Sequence, residues 1–176
     1  PTINVQMPSP GASFYLNEPV TPQVRIADAV SEVVEQTIDP AIDTSSVGRH
    51  TFTAEVTDRA CNEATIAHTY YVRYRAVSMS PVEQELEWFL PPPEGLRGRP
   101  IPTSFQLAPG EPLILAIAFF DFYNSPVEAE VLPTVQVIVV RGSGSAESYY
   151  PVQGLGGTLV YDDLSQRYEM TIPTFG

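Results

Sequence analysis

Lysine is absent from this chain, and all nine basic residues are arginine. That removes several chemistries at once. A G-x-x-x-x-G-K phosphate loop cannot be built, a Schiff-base amine is unavailable, and no lysine–asparagine isopeptide can staple the fold. Cysteine occurs once, at Cys61, so no internal disulfide can form. No apolar run reaches the ~18 residues that a membrane-spanning helix needs. Long helical periods are missing too, in keeping with 18 prolines and 11 glycines among 176 residues. Positive charge is scarce against 21 acids, for a net charge of −12. Such a surface repels phosphate and argues against nucleic acid as a partner. The chain opens at Pro1 with no signal peptide, which reads as a processed segment or a piece of something longer.

What remains is strand-forming. Val, Ile, Thr, Tyr and Phe fall in short runs separated by turn residues. Ile3 and Val5 alternate with Asn4 and Gln6. A second run spans Val20–Ile26 with Pro22 near its start, where proline suits an edge or a strand beginning. An acid-rich loop is expected from Asp28 to Asp43. Then Phe52, Ala54 and Val56 face one way and Thr53, Glu55 and Thr57 the other. After a tight turn at Asp58–Asn62, residues Ile66, His68, Tyr70, Val72 and Tyr74 share one face. Period two on both sides of a short turn is a hairpin with one dry face.

These patterns predict an all-β chain of two tandem Ig-like antiparallel sandwiches. Residues 1–75 form the first and 76–100 a connector, including the stiff run Leu90-Pro91-Pro92-Pro93. Residues 101–176 form the second, with strands at Ile101–Leu107, Leu113–Phe122, Val131–Val140, Ser148–Val152, Thr158–Tyr161 and Tyr168–Ile172. Asp162–Gln166 reads as a hairpin tip. Two of these strands are apolar on both faces. In Leu113–Phe120 every position is apolar, and Val135, Val137 and Val139 have Ile138 and Val140 opposite them. A second dry face needs a cover: the neighbouring domain, the connector or another subunit. With no lysine to blunt sheet edges, strand-to-strand assembly is weakly opposed. Ile3, Val5, Ile114, Phe120, Ile138 and Val140 are therefore the expected interface residues, with Pro1–Pro8 able to add as a strand to a neighbour.

Val47-Gly48-Arg49-His50-Thr51-Phe52, then Asp58-Arg59-Ala60-Cys61-Asn62, then Tyr70-Tyr71-Val72-Arg73-Tyr74 resembles the bacterial Ig-like modules of the HYR type. Cys61 stands where that family has a glycine, which there supplies a positive φ. The second half is similar, more weakly, to the proline-linked module that accompanies such domains, through Phe89-Leu90-Pro91-Pro92, Gly98–Leu107 and Leu159-Val160-Tyr161-Asp162. Asp121-Phe122-Tyr123-Asn124-Ser125-Pro126-Val127 is similar to the D-x-x-G-N-P-V turn of extracellular Ig-like repeats. The resemblance implies an extracellular or cell-surface module without catalysis.

Candidate chemistry is thin. Asp43-Thr44-Ser45 matches an aspartic-protease triplet, but only once and without its flanking apolar strand. His50, His68 and Cys61 have no zinc-ligand spacing. Asp28, Glu32, Asp39, Asp43, Asp58, Asn62 and Glu63 form an acidic set that leaves structural Ca²⁺ possible, although no D-x-D-x-D-G loop occurs. Trp88-Phe89 and Tyr149-Tyr150 would stack a sugar or pack a core. No G-x-S-x-G nucleophile elbow is present. The sequence therefore predicts no catalytic, cofactor or metal site. It predicts a secreted or surface-displayed prokaryotic structural or adhesive module that binds protein, itself or a sister subunit, without membrane insertion. The alternatives are a carbohydrate-binding or enzyme-accessory module, with a glycan partner, and a virion decoration protein.

Overall fold

A computed structural model describes residues 1–80, 84–86, 112–129, 134–136 and 156–172. Among these the chain is all-β, with no helix. Contacts divide it into two units. The first holds Pro1–Arg75 together with Phe120–Ser125, and the second holds the remaining described residues.

In the first unit, β1 (Thr2–Met7) pairs antiparallel with β3 (Gln23–Ala27) as a two-stranded sheet. A four-stranded sheet runs in the order β2-β6-β5-β4. Its members are β2 (Ser13–Tyr15), β4 (Val33–Ile38), β5 (Gly48–Asp58) and β6 (Glu63–Arg73). β5 and β6 pair antiparallel from Gly48↔Val72 to Thr57↔Glu63, and β2 lies parallel to β6. One core joins the two sheets. Val5 from β1 meets Phe14, Phe52, Ala54, Tyr70 and Val72 from the larger sheet, with Ile42 from a loop. Ile3, Met7, Val24, Ile38 and Ile66 pack around it. This is a sandwich built by period-two alternation: the even positions of β5 point inward and their odd neighbours meet water.

Three expectations change here. Val5 is 8% exposed, inside the core, and Ile3 packs beside it, so neither side chain offers an outer surface. The alternation that singled them out is what assigns them inward. Pro1–Pro8 is not a free arm: β1 is already hydrogen-bonded to β3, and only its other edge is left to add to a neighbour. The acidic stretch Asp28–Asp43 is not all loop, since it holds β4. As an edge strand, β4 is exposed at four of six positions and leaves no alternation to read.

In the second unit a five-stranded sheet has the order β12-β13-β9-β7-β8. The strands are β7 (Arg75–Ser80), β8 (Gln84–Leu86), β9 (Leu113–Phe120), β12 (Val160–Asp162) and β13 (Arg167–Ile172). β10 (Thr134–Gln136) and β11 (Gly156–Thr158) form a separate antiparallel pair. Residues 76–86, assigned above to the connector, therefore carry β7 and β8. β12 and β13 meet through the expected turn at Asp162–Gln166. Tyr168 anchors the packing: its ring lies edge-on to Phe119 at 5.5 Å, and its hydroxyl accepts the Ala129 N–H at 2.7 Å.

β9 is dry on both sides. Ile117 and Phe119 are buried on one parity, and Ala116 (0% exposed) and Ala118 (4%) on the other. The chain by itself achieves this burial, so no second subunit is needed to cover the alanine face. Ile114, on that same face, is 44% exposed, and Phe120 is half-buried. Ile138 and Val140 lie outside the described residues. So do the proline run, Trp88-Phe89, Tyr149-Tyr150 and the strands expected at Ile101–Leu107 and Ser148–Val152.

Candidate functional site: the acid-anchored turns

The buried acids of the first unit sit in tight turns. Asp58 ends β5 and is 2% exposed. Its carboxylate accepts the Asn62 N–H (2.8 Å) on Oδ1, and the Asn62 side-chain amide (2.8 Å) and the Ser31 hydroxyl (2.8 Å) on Oδ2. The backbone closes the same loop, with Asp58 N–H donating to Asn62 C=O and Cys61 N–H to Asp58 C=O, both at 3.0 Å. Cys61 takes φ 62°, the left-handed conformation that glycine provides in the resembling family. Its thiol is exposed.

Asp121 repeats the arrangement. It is 6% exposed, and its Oδ1 accepts the Tyr123 and Ser125 N–H groups, both at 2.9 Å. Asn17 donates to Oδ2 from 104 residues away, at 3.1 Å. Asp121 N–H donates to Ser125 C=O at 3.0 Å, and Asn124 N–H to Asp121 C=O at 3.1 Å. Asn124, at φ 61°, holds the place of Cys61. Phe122 N–H donates to Leu16 C=O at 2.8 Å, and the Arg75 guanidinium donates to the Asn124 side chain.

Electrostatics follow these bonds. The Asn62 side-chain amide leads in holding the Asp58 carboxyl below its ordinary range, against a desolvation cost. Burial would raise Asp121, but bonds from Ser125, Asn17 and Tyr123 outweigh it and leave the group lowered. Asp28 accepts Val30 N–H (2.8 Å) and Ser31 N–H (2.7 Å), which brings it down to about 2. The Pro1 nitrogen stands 3.0 Å from Asp28 Oδ2 and 3.9 Å from Asp58 Oδ2. These groups line an open cleft of about 600 Å³ with Val30, Ala60 and Asn62.

The other sequence candidates disperse. Asp43 accepts both the N–H (2.9 Å) and the hydroxyl (2.6 Å) of Ser45, an ordinary Asx turn that lowers its carboxyl. Thr44 is buried, its hydroxyl donating to Glu18 C=O at 2.8 Å. Asp39 accepts the Thr53 N–H and hydroxyl, and Glu32 pairs with Arg59 at 2.6 Å. His50 stacks on Tyr70 at 5.4 Å and bonds Ser46 C=O at 2.8 Å, while burial raises the Tyr70 phenol. His68 bonds Pro8 C=O at 2.7 Å. His50 lies near one end of the β5–β6 hairpin and Cys61 at the other, about 26 Å apart along the strand, so the two cannot share an ion. Among the described residues no three His, Cys, Asp or Glu side chains gather into a metal-binding set. Sequence reasoning missed the pairing of Asn17 with Asp121. The spacing of an acid four residues before Asn62 or Ser125 was the available signal for the turns.

No family model matches the chain. No curated protein matches it either. A solved structure of fibronectin(III)-like modules from Clostridium thermocellum CbhA is similar to it over 72% of this chain and 90% of that one, at 7% identity and a TM-score of 0.36.

Proposed function

We propose that this chain is a non-catalytic structural or adhesive module of a secreted or surface-displayed prokaryotic protein, and that its copies associate. The observation that carries the reading is how its buried acids are used. Asp58 spends its acceptor capacity on the Asn62 N–H and on the side chains of Asn62 and Ser31, and Asp121 on the Tyr123 and Ser125 N–H groups and the Asn17 side chain. A general acid works with a raised pKa; both of these carboxyls are lowered. Ile114, exposed on β9, supports contact between copies. Sedimentation combined with electron microscopy tests this, with dimers or ordered arrays expected. A clean monomer at high concentration would remove the association. A glycan-binding reading has one observation in its favour: Phe122 and Tyr123 are exposed at the tip of the Asp121 turn, with their rings edge to face at 5.2 Å. Binding on a glycan array that is lost in Tyr123→Ala would promote it.

A further inference from the structure

Among the described residues the first unit has four strand edges without a partner: β1 and β3 flank the small sheet, β2 and β4 the larger one. Three of these are poor templates for another chain. β2 is three residues long. β3 displays Arg25 at its centre, and β4 displays Glu35 beside a register shift between Val33 and Glu35. Short length, charge and irregularity are the usual means of blunting an edge.

β1 differs. Thr2–Met7 reads TINVQM, with no charged side chain and no proline. Thr2, Asn4 and Gln6 face outward, while Ile3, Val5 and Met7 face the core. Its own register shift lies between Val5 and Met7, at its far end. Two copies of a chain with net charge −12 repel wherever their acids meet. A charge-free strand is where they can approach at least cost.

We propose that β1 pairs antiparallel with β1 of a second copy about a twofold axis through Asn4, giving a continuous β3-β1-β1-β3 sheet. This deepens the self-association reading above and rests on it. The register follows from the alternation. Asn4 stands opposite Asn4, Ile3 opposite Val5 and Thr2 opposite Gln6, which keeps every inward residue on the core side of both copies. A slip of one residue would turn one copy's Val5 toward water. The contact is isologous and therefore closes at a dimer. Longer arrays would need a second surface.

The test uses the full chain in a Cys61→Ser background. Facing residues of an antiparallel pair have Cα atoms about 4.5–5.5 Å apart, within disulfide range. Asn4→Cys is therefore expected to give a disulfide-linked dimer under mild oxidation, while Gln36→Cys on β4 stays monomeric on a non-reducing gel. Asn4→Asp puts two carboxylates face to face. It should weaken the dimer about tenfold in sedimentation equilibrium, recover with added salt, and leave the thermal midpoint of the dilute monomer unchanged. A dimer that ignores Asn4→Asp and fails to cross-link through Asn4→Cys overturns the β1 contact and leaves self-association standing. A wild-type chain that stays monomeric at hundreds of micromolar overturns both.

Discussion

In the turn at Asp58–Asn62 the residue held left-handed is Cys61; in the matching turn at Asp121–Ser125 it is Asn124. The rest of the frame is shared. Each turn opens on a buried aspartate that accepts the N–H four residues on, and each is closed by the same pair of backbone bonds. The difference shows which part of the device is fixed. The carboxylate and its N–H partners define the loop, and the left-handed position accepts whatever the frame can force. Asparagine adopts that conformation readily, whereas cysteine does so at a cost of about 1 kcal/mol. The turns also differ in reach. Asp58 is tied to Ser31, 27 residues away, and Asp121 to Asn17, 104 residues away. The second turn thus fastens distant chain as well as its own loop.

The comparison predicts its own breaking points. The largest effect belongs to Asp121→Ala, which strands the Tyr123 and Ser125 N–H groups and releases Asn17. A loss of about 2–3 kcal/mol is expected in urea unfolding. Asp58→Ala should also lower the thermal midpoint by several degrees. If either variant matches the wild type, the shared frame is not what holds these loops.

Acid comes next. Asp28, Asp43, Asp58, Asp121 and Asp162 all have lowered folded-state values. A lowered value means the stabilisation is complete above the unfolded pKa of about 4 and fades as the pH falls through the folded values, which reach about 2 at Asp28. The thermal midpoint should therefore be flat near neutrality and drop between about pH 4 and 2. The drop should be shallower in Asp58→Asn, which has no charge there to lose.

The smallest effect is the sharpest comparison. Cys61→Gly should stabilise the chain by about 0.5–1 kcal/mol, because glycine relieves the left-handed strain but adds unfolded-state entropy. Asn124→Gly should be nearly neutral. Equal responses at the two positions would mean that the turns do not differ as their φ values suggest.

Legibility in the sequence followed the locality of the signal. β5 and β6 were readable because eleven residues of strict alternation on each side of Asp58–Asn62 need no distant information. β3 begins where Pro22 allowed it to begin. β4 was hidden because an edge strand with Glu35, Gln36 and Thr37 all exposed looks like a polar loop. β7 was hidden because in Arg75–Ser80 the buried position Ala76 is too small to mark a dry face, while Val77 and Met79 share the other parity. The doubly dry faces of β9 were evident from Leu113–Phe120, but the sequence could not say that the chain covers Ala116 and Ala118 by itself. Burial turns the Val5 side chain into the core, so any contact it makes with a neighbour runs through its backbone.

The central claim is that the buried aspartates fasten their turns through ionised carboxylates. Carbon-13 NMR titration of the Asp58 and Asp121 carboxyl groups tests it most directly. Both are predicted to titrate below the ordinary aspartate value of about 3.9, with the Asn62 and Ser125 amide signals shifting at the same pH. A carboxyl at either position that titrates above that value, or whose titration leaves those amides undisturbed, would contradict the account.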